Sequence, residues 1–360
     1  MERIWLLAAI GVVAFTGGIV YGFTSAYKKV IPSDPGISYI GRIDFSDKNA
    51  PRFDWPGIEI AINFEGAYCA VLLDDGTNHY NVFVDGARMP VLVTQPKVKK
   101  YIVAKNLSRG PHSVIITKRT ETYDGTGIFK GFILDKKAKV LAPPVKPSKK
   151  IEFIGDSLTV GYGIEGPSVT CGEGTEKKYK NNFLSFASVT SRVLGAQAHI
   201  IAISGRGLVK NYGDNAIPAE KPLGYYYKNT IMNDPLTAWD FKSWIPDIVV
   251  INIGTNDFST QPVPSKELFE KAYLSLLKTV RGYYPQAEIF CVTGPVTDAP
   301  LSGYVKNTLK TFKDKKTHFA SLSPVPQELM GCDWHPNAEA NRKMAEELVK
   351  QINSVMQKHP

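Results

Sequence analysis

Four short segments carry residue types suited to acyl transfer. Gly155-Asp156-Ser157 supplies a hydroxyl, and Ser204-Gly205-Arg206-Gly207 supplies backbone amides that glycine lets approach a substrate closely. Gly254-Thr255-Asn256-Asp257 adds a side-chain amide, and Asp333-Trp334-His335-Pro336 adds a base of near-neutral pKa. Taken singly each is weak, since Gly-Asp-Ser is a common turn and Asn256 suits turn capping. Together they form a working set. His335 takes the proton of Ser157 and returns it to a leaving alcohol, while the amides of Ser157 and Gly205 and the Asn256 side chain receive the oxygen that turns negative. Each such donor is worth about 3 kcal/mol in the transition state. This chemistry needs no metal and no organic cofactor, and none of the six histidines shows a close metal-ligand spacing.

For these segments to meet, each must leave a strand at one edge of a common sheet. Near-continuous Ile, Val and Phe runs at 150–154, 198–203, 247–253, 288–293 and 317–321 predict strands covered on both faces. Helical patterns at 183–194, 266–281, 304–313 and 338–356 lie between or after them, which is the grammar of an α/β/α domain with a parallel sheet. In the last helix Ala340, Met344, Leu348, Ile352 and Met356 form an apolar stripe, read as core packing. Residues 36–141 read differently. Short alternating runs such as 58–64, 68–73, 80–84 and 113–119, with Asp-Gly turns, predict an antiparallel, jelly-roll-like β-sandwich that no helix interrupts. Prolines at 143, 144 and 147 cannot continue a helix or a central strand, so 142–149 is the joint and 150–356 the second domain.

The ordered blocks Gly155-Asp156-Ser157-Leu158, Gly205, Gly254-Thr255-Asn256-Asp257 and Asp333-Trp334-His335-Pro336 resemble those of SGNH (GDSL-type) hydrolases. That resemblance implies Ser157 as nucleophile, His335 as base, and Ser157, Gly205 and Asn256 as the oxyanion hole. A β-sandwich ahead of such a domain, with Cys332-Asp333-Trp334-His335-Pro336-Asn337, is similar to carbohydrate esterase family 2. The likeness implies removal of O-acetyl groups from cell-wall polysaccharides such as xylan and glucomannan. One position departs from the common pattern. The orienting aspartate usually stands three residues before the histidine, where this chain has Cys332; Asp333 stands two before and is assigned as the catalytic carboxylate that orients His335, with a backbone carbonyl as the alternative. Trp334 reads either as a wall or sugar platform or as core, and Arg206 either as a substrate contact or as a tie to a neighbouring loop carboxylate. Asp156 is expected to hold its turn and Asp257 to support the Asn256 loop.

The 360 residues carry a formal charge of +9, spread over the surface without interleaved stacking aromatics, which disfavours nucleic acid as a partner. The expected partner is an acetylated carbohydrate, and the chain is expected to act as a monomer. Competing readings are a lipid esterase or thioesterase on the same domain, and a non-catalytic carbohydrate-binding surface protein. Four scattered cysteines exclude a disulfide-built fold, but Cys171 and Cys332 form a candidate bridge if the compartment is oxidising. Residues 1–30 stand apart. The uncharged run from Ile4 to Phe23 is long enough to span a bilayer as a helix, and it reads as an uncleaved anchor, a cleaved signal or a buried helix. An extracytoplasmic placement suits the chemistry, whereas Lys28 and Lys29 would by charge bias hold that end inside.

Overall fold

The computed structural model describes residues 26–357 except 173, 233 and 298. Among the described residues no helix is long and apolar enough to cross a membrane. The Ile4 to Phe23 run lies outside them.

The first part of the chain is a sandwich of two antiparallel sheets. One orders Tyr27–Val30, Gly127–Asp135, Cys69–Asp74 and Val98–Ala104, and the other orders Lys139–Val140, Glu59–Glu65, Pro111–Lys118, His79–Val84 and Ala87–Arg88. Alternation decides which side chains face inward: Val71, Leu73, Phe132 and Leu134 from the first sheet meet Ile60, Ile62, Val114 and Ile116 from the second, all essentially buried. Tyr27–Val30 joins the sheet by pairing with Gly127–Asp135, ahead of the start at Gly36 read from the sequence. A single 3-10 turn, Thr122–Asp124, also breaks the expected all-strand pattern.

The second part is a parallel sheet in the order Ala196–Ala202, Lys149–Gly155, Ile248–Asn252, Glu288–Thr293 and Thr317–Ser321. Ile151 and Phe153 face a layer built by Phe186–Val193 and Ala338–Met356, in which Ala345, Leu348 and Ile352 are buried. The opposite face packs on Lys266–Tyr283 and Leu301–Phe312 through Leu277, Val280 and Val305. An antiparallel hairpin, Asn229–Ile231 with Asp234–Ala238, interrupts the alternation; its strands are too short to stand out in the sequence.

The two parts share one hydrophobic cluster and a buried polar tie. Arg42 of the sandwich and Glu152 of the central parallel strand are fully buried and 3.0 Å apart. Tyr227 and Tyr284 hydroxyls donate to the same carboxylate at 2.6 and 3.1 Å. Trp55 Nε1 donates to the Thr230 carbonyl at 2.9 Å, and the Met232 amide donates to Asp54 at 2.8 Å. Such a pair is costly to break from one side because the partner charge stays buried. Arg42→Met should therefore lower stability by about 3–5 kcal/mol, read as a lower urea midpoint. Adding Glu152→Gln, which removes the charge and keeps one oxygen as an acceptor for a tyrosine, should recover more than half of the loss; an unchanged midpoint in the single variant would contradict this account of the joint.

Candidate active site

The Lys149–Gly155 strand lies between its two sequential successors, so the chain leaves it in opposite directions and a crevice opens at its carboxyl end. Ser157 stands there, first in the short helix Ser157–Val160, where its N–H has no intrahelical partner. Asp156 caps that helix by accepting the Leu158 N–H at 3.1 Å. Its carboxyl is pushed up to about 7, chiefly by complete burial and further by the Asp257 charge.

His335 meets this serine across 178 positions, with Nε2 at 2.7 Å from the Ser157 Oγ. On the other side of the ring, Nδ1 lies 2.8 Å from the backbone carbonyl oxygen of Asp333. A carbonyl oxygen can only accept, so Nδ1 carries the proton and Nε2 turns a lone pair to the serine hydroxyl. The carbonyl is aimed by an uncommon backbone: Asp333 and Trp334 both sit in the left-handed region, at φ +52° and +57°. Three contacts hold them there. Asp333 N–H donates to Val169 O at 2.9 Å, Cys332 N–H donates to Gly163 O at 3.1 Å, and Cys332 is bonded to Cys171, with Cα atoms 5.3 Å apart. At Gly163, φ +65°, any Cβ would run into the Cys332 carbonyl. The Asp333 carboxylate turns away from the ring and accepts from the Tyr162 hydroxyl at 2.9 Å. The Tyr162 ring packs on His335 with centroids 4.7 Å apart. Burial holds the His335 pKa below its usual 6.5, against the hydrogen bond to the Asp333 carbonyl and the Asp333 charge, which pull it up.

The expected donor residues line the same cleft as Ser157 and His335. Gly205 takes φ +73°, open to glycine at no steric cost, and its carbonyl accepts from Tyr212 N–H at 2.8 Å. Its own N–H has no partner among the described residues. Asn256 Nδ2 lies 2.8 Å from the Arg206 carbonyl, which orients the amide, and only 3.5 Å from Asp156 for its other hydrogen. Asp257 holds a different loop from the one expected: its carboxylate accepts the amides of Leu208, Val209 and Lys210 at 2.7–2.9 Å, fixing the segment that follows Gly205. Burial raises its pKa to about 6 against those three hydrogen bonds. Together these groups floor a cleft of about 560 Å³, whose lining also includes Leu158, Tyr212, Val296 and Trp334. The cluster of metal-ligating atoms among the described residues, Cys171, Cys332 and Asp333, has both sulfurs joined in the disulfide, which leaves a single carboxylate.

Residues 39–144 match the carbohydrate esterase 2 N-terminal family, and residues 153–343 match the GDSL-like Lipase/Acylhydrolase family. Among curated relatives, the chain is 37% identical over 330 residues to the cellulase/esterase CelE of Acetivibrio thermocellus, covering 89% of this chain and 40% of that protein's length. It is 31% identical over 310 residues to an acetylxylan esterase / glucomannan deacetylase of Cellvibrio japonicus, covering 83% of this chain and 84% of that one. The chain belongs to carbohydrate esterase family 2. A solved family two carbohydrate esterase from Clostridium thermocellum, in complex with cellohexaose, superposes with a TM-score of 0.84 at 36% identity, covering 89% of this chain and 99% of that one.

The Asp333 carboxylate, assigned from the sequence as the orienter of His335, is not its partner: the ring is hydrogen-bonded to the Asp333 main-chain carbonyl, and the carboxylate accepts from Tyr162 instead. Trp334 is 55% exposed and lines the cleft, so the core alternative is excluded. Arg206 does not line it. Nε donates to the Tyr123 hydroxyl at 2.6 Å and a terminal nitrogen to the Lys221 carbonyl at 3.1 Å, so the guanidinium is a loop tie, to oxygens other than the carboxylate expected. Tyr162, Tyr212 and Tyr123 escaped the sequence reading because a tyrosine in a loop carries no signal of what it will face.

Asparagine tolerates the left-handed region and keeps both the main-chain carbonyl and an acceptor for Tyr162. In Asp333→Asn, kcat should accordingly fall less than about tenfold, where loss of a triad carboxylate costs roughly 10⁴. Steady-state kinetics on a nitrophenyl acetate decides between them, and a fall of the larger size would restore the carboxylate to the mechanism.

Proposed function

We infer that the chain is a serine esterase that removes O-acetyl groups from plant cell-wall polysaccharides such as xylan and glucomannan. The observation that carries this reading is the 2.7 Å contact between Ser157 Oγ and His335 Nε2 on the floor of a cleft with unpartnered amides beside it. Ser157 Oγ attacks the acetyl carbonyl carbon as Nε2 takes its proton, and the carbonyl oxygen becomes an oxyanion facing the Ser157 and Gly205 amides and the Asn256 side chain. The bond to the sugar oxygen then breaks, the Nε2 proton goes to that oxygen, and acetyl stays on Ser157. Water repeats the sequence: His335 takes its proton, acetate departs, and the proton returns to Ser157.

The name of the Cellvibrio japonicus relative and the cellohexaose held by the Clostridium thermocellum structure support a polysaccharide substrate. The cleft lining agrees, because Ser, Thr, Asn and Tyr side chains alternate with Leu158, Val296 and Trp334 in place of a continuous apolar tunnel for a long acyl chain. A bridge at Cys171 and Cys332 beside the base, together with the apolar run from Ile4 to Phe23, supports an extracytoplasmic location.

Acetate release from acetylated xylan and glucomannan, with a folded Ser157→Ala variant alongside, tests the reading. The variant should lose roughly 10⁴- to 10⁶-fold in kcat. Across a nitrophenyl ester series the rate should peak at acetate; a peak on long-chain esters would point to lipid chemistry. The pH profile gives an independent check. The base must be neutral to work and its pKa is lowered, so activity should persist as pH falls through 6.5 and be lost only below it. An acid limb centred well above 6.5 would contradict the environment described for His335.

A further inference from the structure

One loop of the sandwich holds a turn that lines the ester site. Glu121, at its tip and fully buried, belongs to the first part of the chain, yet its Oε2 accepts the N–H of Ser204 at 2.9 Å, 83 positions away. Its Oε1 lies 2.8 Å from Lys180 Nζ, which also pairs with Asp124 at 2.9 Å. The loop itself is fixed from both ends, because the Asp124 carboxylate accepts from the Glu121 amide at 3.1 Å while the Asp124 amide donates to the Glu121 main-chain carbonyl at 3.2 Å. Two residues on, the Tyr123 hydroxyl accepts from Arg206 Nε. The same loop therefore grips the turn 203–206 on both sides of Gly205.

What that grip does follows from peptide geometry. The Gly205 N–H belongs to the peptide between Ser204 and Gly205, and glycine alone would let that plane rotate. The peptide before it is pinned by Ser204 N–H on Glu121, and the peptide after it by the Gly205 carbonyl on Tyr212 N–H at 2.8 Å. With both flanks held, the Gly205 N–H stays turned to the cleft. Release of either flank would let the plane flip and present a carbonyl where negative charge must develop. A carboxylate this near an oxyanion would also repel it, and the Lys180 ammonium supplies the compensating charge.

We propose that the 120–125 loop of the β-sandwich buttresses the oxyanion side of the active site from behind, and that Glu121 is a positioning residue that keeps the Gly205 amide aimed at the oxyanion. This rests on the esterase reading above. Glutamine at position 121 can satisfy Ser204 only by turning its amide nitrogen toward Lys180, so Glu121→Gln should weaken the pinning while preserving size.

The test is steady-state kinetics of the full chain on a nitrophenyl acetate and on acetylated xylan, with unfolding midpoints measured in parallel. Glu121→Gln should lower kcat by about 10- to 100-fold with KM within about threefold, and labelling of Ser157 by a small phosphonate ester should slow by the same factor. Tyr123→Phe, at a half-exposed position where folding is not at stake, should lower kcat several-fold with the same unchanged KM. A folded Glu121→Gln protein with kcat within threefold of the parent overturns the proposal. Should Glu121→Gln not fold, a Tyr123→Phe effect confined to KM, or none at all, overturns it. In each case Ser157→Ala is run beside them: if it keeps the parent rate the esterase reading fails, and if only the Glu121 and Tyr123 variants keep it this inference fails alone.

Discussion

A single hydrogen bond, from His335 Nδ1 to the main-chain oxygen of Asp333, decides whether the site can work. That oxygen has no proton to give, so it forces the imidazole into the tautomer whose free lone pair faces Ser157. The orientation is bought with backbone strain, two consecutive residues in the left-handed region, one of them a tryptophan that seldom goes there. The surroundings over-determine it: a disulfide on the preceding residue, two main-chain hydrogen bonds and the Tyr162 hydroxyl on the Asp333 carboxylate. The strain also turns Trp334 outward, so the geometry that sets the base builds part of the cleft wall.

The serine side of the site depends on the sheet, and the oxyanion side depends on both parts of the chain. Ser157 is placed by the end of a buried parallel strand and a capped helix turn, which are local devices. Gly205 is placed by Asp257 and Tyr212 from its own part and by Glu121 from the sandwich. The buried Arg42 and Glu152 pair, the shared hydrophobic cluster and the Trp55 contact keep the two parts in fixed register, which is what such a long-range contact requires. The sandwich is thus built into the catalytic half instead of hanging from it.

Much of this was legible in the residues because it follows from periodicity. Buried parallel strands write themselves as apolar runs, the final helix as an apolar stripe, and the blocks at strand ends as Gly, Ser, Asn and His at carboxyl edges. What stayed hidden depends on atoms that residue types do not distinguish. Asp333 carries a side-chain carboxylate and a main-chain carbonyl on the same Cα, and only the backbone conformation says which faces His335. Glu121 sits in a stretch that reads as sandwich turn, with nothing in its neighbours to tie it to Ser204. Asp257 was expected to steady its own loop, yet its carboxylate reaches back to amides some fifty positions earlier.

Nitrogen-15 NMR of the resting enzyme, with histidine labelled and His335 assigned by substitution, measures the tautomer directly. A carbonyl at Nδ1 predicts a neutral ring at pH 7 with its proton on Nδ1 and an unprotonated Nε2 toward Ser157. A proton found on Nε2 would mean that the ring is turned or its partner misidentified, and the account of how this serine is activated would not stand.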